Sequence, residues 1–67
     1  MIRLKIKEVA AEKKISQGKL SRIADVDIKT VRSILRDPSK SITTEILNRL
    51  AGALEVDARE LIDYTPD

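Results

Sequence analysis

Apolar residues recur at helical spacing along most of the chain. Leu20, Ile23 and Ala24 stand at i, i+3 and i+4, and Val31, Ile34 and Leu35 repeat that spacing eleven residues on. The two segments join at Ala24-Asp25-Val26, so Ser16 to Arg36 predicts two short helices separated by a three- to four-residue turn, a helix-turn-helix layout. The spacing predicts the first of these helices over about 16–24 and the second over about 28–36. Ser16 is a good N-cap for the first, and Asp27 for the second, because each side-chain oxygen can accept a backbone N–H two or three residues on.

Three further helices are expected around this pair. From Lys5 or Ile6 to about Lys14, Ile6, Val9 and Ala10 face inward and Ile15 closes the turn. Thr43 can cap a helix carrying Ile46, Leu47, Leu50, Ala51 and Leu54 through Glu55, with Glu45 in its first turn favouring the dipole. Asp57-Ala58-Arg59-Glu60 resembles a capping box and starts a short fifth helix with Ala58, Leu61 and Ile62. The expected core is Leu20, Ile23, Val31, Ile34, Leu47, Leu50 and Leu54. Ile2, Leu4 and Ile6 alternate with Arg3, Lys5 and Lys7, which fits either a short strand or the start of the first helix. The fold class is therefore all-α, a five-helix domain spanning 1–67.

Wheel position divides the second helix of the pair. At about 100° per residue, Val31, Ile34 and Leu35 cluster on one side. Lys29, Arg32, Ser33 and Arg36 fall on the other, with Ile28 at the boundary. A face with three cations, a hydroxyl and no carboxylate suits a phosphate-lined groove, since Lys and Arg neutralise phosphates or donate to guanine. An ordinary solvated helix with an excess of Lys and Arg has the same pattern.

Composition narrows the alternatives. The chain has 67 residues, no Cys and no His, which excludes disulfides, thiolate metal sites, zinc fingers and imidazole bases. No metal, no cofactor and no catalysis are expected. No apolar run approaches a membrane span, so no membrane partner is expected either. Net charge is +2, but unevenly placed: residues 1–40 hold eleven Lys/Arg and five Asp/Glu, and residues 41–67 hold two and six. That asymmetry suggests one side turned to a polyanion and one turned away.

Ser16-Gln17, Leu20-Ser21, Ile23-Ala24, Val26, Thr30-Val31 and Ile34 together resemble the Cro/C1-type (phage-repressor-like, XRE family) helix-turn-helix pattern. That pattern runs Ser/Thr-Gln, Leu-Ala, Ala-Gly-Val, Thr-Val/Ile-Ser. The similarity continues through Ile42-Thr43, Glu45, Leu47, Leu50-Ala51, Ala53-Leu54, Val56 and Glu60-Leu61, in register and without gaps. Departures are local. Asp25 replaces the turn glycine, Lys14 replaces a frequent glycine, and Arg36-Asp37-Pro38 replaces a common acidic-Asn-Gly exit.

The resemblance implies a lambda-repressor-like fold, with the two chain ends paired as a short two-stranded ribbon. It implies a cytoplasmic regulator, nucleoid-associated when bound, that reads double-stranded DNA at a palindromic operator. Ile28, Lys29, Arg32 and Ser33 would meet base edges. Gln17, Lys19, Thr30, Arg36, Ser39, Lys40 and Thr43 would hold phosphates, although a plain hydrophilic connector explains Ser39 and Ser41 equally well. In the family the residue at Gln17 braces the backbone and the recognition helix. A weak homodimer is expected through Ile62 and Tyr64. The competing reading is a protein-interaction module, such as an antitoxin or adaptor, that keeps the fold. A detached domain of a longer regulator is the third, and the initial Met1 sets the expectation against it.

Overall fold

The computed structural model describes residues 1–66. The element order is β1 (Ile2–Leu4), α1 (Ile6–Glu12), α2 (Gln17–Ala24), α3 (Ile28–Arg36), α4 (Thr44–Leu54), a 3-10 turn (Ala58–Leu61) and β2 (Ile62–Tyr64). β1 and β2 pair antiparallel, with Ile2 opposite Tyr64, Arg3 opposite Asp63 and Leu4 opposite Ile62. The alternating start is thus a strand, and the terminal ribbon forms. A two-stranded ribbon is marginal alone. Here it is tied to the rest at two points: the Leu4 N–H donates to Pro38 O at 2.7 Å, and the Lys5 N–H to Leu61 O at 2.8 Å.

One core gathers a side chain from nearly every element. Ile6 of α1, Leu20 of α2, Val31 of α3, Leu50 and Leu54 of α4 and Leu61 of the 3-10 turn are all essentially inaccessible. Burying each aliphatic side chain of this size stabilises the fold by roughly 1.5–3 kcal/mol. No polar or charged residue is buried among the described residues. The core therefore owes its cohesion to apolar packing.

Three sequence expectations need correction. The described residues hold four α-helices, not five. Asp57 does cap a turn, and its capping box with Glu60 forms. However, the chain becomes extended at Ile62, whose φ of −128° and ψ of 148° start β2. Pairing with β1 leaves only four residues between cap and strand, so the segment is a single 3-10 turn, and Ile62 belongs to the ribbon. Second, α1 ends at Glu12, and Lys14 takes a left-handed backbone at φ 56°.

Third, Ile23 is half exposed rather than core. The buried stripe of α2 is Leu20 and Ala24. At about 100° per residue Ile23 lies about 60° outside Leu20, on the side away from Ala24. Leu47 also falls short of full burial, packing against the edge of the core.

Candidate nucleic-acid interface

Local hydrogen bonds set the geometry of the helix pair. The Ser16 hydroxyl accepts the Lys19 N–H at 3.2 Å and starts α2. The Asp27 carboxylate accepts the Lys29 N–H at 3.1 Å and starts α3. Between them Asp25 adopts φ 56° and ψ 47°, the left-handed bend the turn requires. Asp is among the few side chains that accept this backbone with modest strain. The turn is closed by the Ser21 hydroxyl donating to Val26 O at 2.6 Å and the Val26 N–H donating to Ser21 O at 3.1 Å. Val26 itself is buried, which anchors the turn from below.

A longer-range brace comes from α4. Arg49 Nη1 donates to Asp25 O at 2.9 Å, while Nη2 pairs with Glu45 Oε1 at 2.8 Å. One guanidinium thus satisfies the carbonyl of the bent residue and is itself aimed by a carboxylate one helical turn earlier. Sequence reasoning missed this role for Arg49. The Glu45/Arg49 spacing of i, i+4, acid first, was the available signal for the pair. Nothing local pointed to Asp25.

This frame presents α3. Val31 and Ile34 are buried and Leu35 packs against the core. Lys29, Arg32 and Arg36 are exposed, and Ser33 is half-buried between them. On the wheel these four span about 100° of arc. None of the three cations makes an ion pair with another described residue. Ile28 and Thr30 are half-buried at the flanks of this face. Because the Asp27 carboxylate accepts the N–H of Lys29, the second residue of α3, that helix end is already capped by a carboxylate. The α2 end has a neutral cap, Ser16, with Gln17 exposed at the first helical position and Lys19 exposed two residues on.

Beyond α3, Asp37 Oδ1 accepts the Ser39 N–H and Asp37 O accepts the Lys40 N–H, each at 3.1 Å. The loop is therefore ordered by the side chain and carbonyl of Asp37, with Ser39 exposed and Lys40 half-buried. The Thr43 hydroxyl accepts the Ile46 N–H at 3.1 Å and so caps α4. Its own proton remains available to an acceptor. Ile62 is half-buried and Tyr64 exposed, on the ribbon and apart from α3 in sequence and element.

A family model described as Cro/C1-type HTH DNA-binding domain matches residues 5–67. No curated protein matches the chain.

Proposed function

The chain belongs to the Cro/C1-type helix-turn-helix DNA-binding family, and on that premise we propose that it is a sequence-specific transcriptional regulator acting on double-stranded DNA in the cytoplasm. The observation that carries this reading is the outer face of α3: three exposed cations and a hydroxyl, free of carboxylates from Ile28 to Arg36. An adaptor surface has no need to exclude carboxylates there.

In this reading α3 lies in the major groove. Lys29 and Arg32 donate to purine edges, Ser33 to either base type, and Ile28 meets a thymine methyl group. Gln17, Lys19, Thr30, Arg36, Ser39, Lys40 and Thr43 hold phosphates and fix the docking without reading sequence. Random-oligonucleotide selection with the purified protein tests the proposal. The expected product is a palindromic consensus with half-sites about 34–36 Å apart. Recovery of unenriched sequence would overturn sequence specificity.

The palindrome requires two copies. Leu54 and Leu61 are fully buried and offer nothing to a partner. Tyr64 and Ile2 are exposed and stand opposite one another in the ribbon, on the face that Leu4 and Ile62 share. That apolar area is small beside the roughly 800 Å² per partner of a standard interface. The pair is accordingly weak, monomeric when dilute and formed mainly on DNA. Sedimentation across concentration reads this directly: a dimer persisting at nanomolar concentration contradicts it, and Tyr64→Ala should impair pairing on DNA.

A further inference from the structure

An open groove of about 460 Å³ lies between β1, α1 and the end of α3. Leu4, Ala11, Ile34, Leu35 and Pro38 form its apolar lining. Arg3, Lys7 and Arg36 stand around it, all exposed, together with one carboxylate, Glu8. Asp63 faces Arg3 across the ribbon. Even so, none of the three cations forms an ion pair with another described residue. Three cations from three elements thus share one concavity, against a single carboxylate within it.

The groove continues the cation row of α3. Lys29 to Arg36 covers about 10 Å of helix axis. A recognition helix meets base edges with its N-terminal residues, so α3 seated by Lys29 leads away from those edges toward Arg36 at its C-terminal end. Arg3 and Lys7 lie around the same concavity as Arg36. The 2.7 Å bond from the Leu4 N–H to Pro38 O ties β1, and with it the Arg3 backbone, to the exit of α3. We propose that this groove is a second phosphate-binding surface, which seats the backbone of the same duplex beyond the reach of α3. Arg3 and Lys7 then belong to the DNA footprint, which extends from the recognition helix onto the first strand and first helix. The proposal rests on the DNA-binding reading above.

The test uses the full chain and a random-sequence duplex of about thirty base pairs, because phosphate contacts do not depend on sequence. Affinity is measured as salt is raised, for the parent and for Arg3→Ala with Lys7→Ala. Each lost phosphate contact removes about 0.9 from the log–log slope, so the double variant should be shallower by about two. At about 50 mM salt it should bind roughly a hundredfold more weakly, and the difference should shrink as salt rises. Lys13→Ala removes an exposed cation that does not line the groove, and should leave the slope nearly unchanged. Glu8→Gln keeps the side-chain length, removes the one carboxylate and should tighten binding, a gain that damage to the fold would not produce. Thermal melting establishes that each variant is folded. If the parent binds duplex while the double variant keeps the parental slope and Glu8→Gln gains nothing, the groove proposal fails and the α3 reading stands. If the parent does not bind duplex at all, both fail.

Discussion

The helix-turn-helix and the terminal ribbon are built in opposite ways. In the first, the shaping hydrogen bonds join near neighbours: Ser16 to Lys19, Ser21 to Val26, Asp27 to Lys29. In the second, the ends meet across almost the whole chain, with the Met1 amino group donating to Thr65 O and the Thr65 N–H donating back to Met1 O. Charge differs along the chain too. The first 40 residues carry eleven cations against five carboxylates, and the remaining 27 carry two against six. A locally encoded, basic helix pair is thus joined to an acidic C-terminal support, which β1, itself from the basic part, closes through the ribbon. Burial nevertheless joins them, since Leu61 at the foot of the ribbon is as inaccessible as Leu20 in α2.

The strongest challenge to that comparison is Leu61→Ala. If the two regions share one core, the cavity should cost about 2–5 kcal/mol and lower the melting of every helix together. A variant that frees only the ribbon, with the helices melting as in the parent, would show two separable units. Next in size are the cations proposed to face DNA. Lys29→Ala should cost roughly 1–3 kcal/mol on the selected site and relax preference at one base position. Lys40→Ala should weaken all sequences about equally and flatten the salt slope by about one. If Lys40→Ala altered the preferred sequence and Lys29→Ala did not, the docking of α3 would be wrong.

Backbone strain separates the turns more finely. Lys14, Asp25 and Glu55 all hold left-handed backbones, with φ of 56°, 56° and 57°. Glycine removes the Cβ conflict but adds freedom to the unfolded chain. Lys14→Gly and Glu55→Gly should each stabilise the fold by about 0.5–1 kcal/mol, and Asp25→Gly by less, since Asp tolerates this region. Equal gains at all three in thermal melts would remove the distinction drawn for the recognition turn.

The smallest expected effect lies in the acidic support. The Asp57 carboxylate accepts the Arg59 backbone N–H at 2.9 Å and pairs with the Arg59 guanidinium at 3.3 Å. The backbone bond first, then the guanidinium, holds its carboxyl below the ordinary carboxylate value of 3.8. A pKa lowered by folding contributes stability above the ordinary value, and that contribution is lost as pH falls through the folded one. Asp57→Asn should therefore show a slightly flatter loss of stability below about pH 4 than the parent. Identical acid limbs in the two melting profiles would remove the contribution.

How much of this was legible in the sequence follows from the same contrast. Caps at Ser16, Asp27, Thr43 and Asp57 are local, and each was readable from a residue and its near neighbours. In the residues the ribbon shows only as an alternation that a helix start also explains, and its pairing is implied only by the family resemblance, because partners some sixty residues apart leave no local mark. The fifth helix was misread because its capping box is real while its continuation is decided by β1, at the other end of the chain. Ile23 was misplaced because i, i+3, i+4 spacing marks a stripe and not its centre. The candidate site fared similarly. The α3 face followed from periodicity, whereas Arg49 bracing the turn depends on how α4 packs beneath it.

The central claim is that the basic region meets DNA phosphates, and salt-dependent binding of duplex by the purified protein tests it most directly. With about five or six phosphates neutralised per domain, the log–log slope should lie near −5. A slope near zero, or no binding at low salt, would contradict the account.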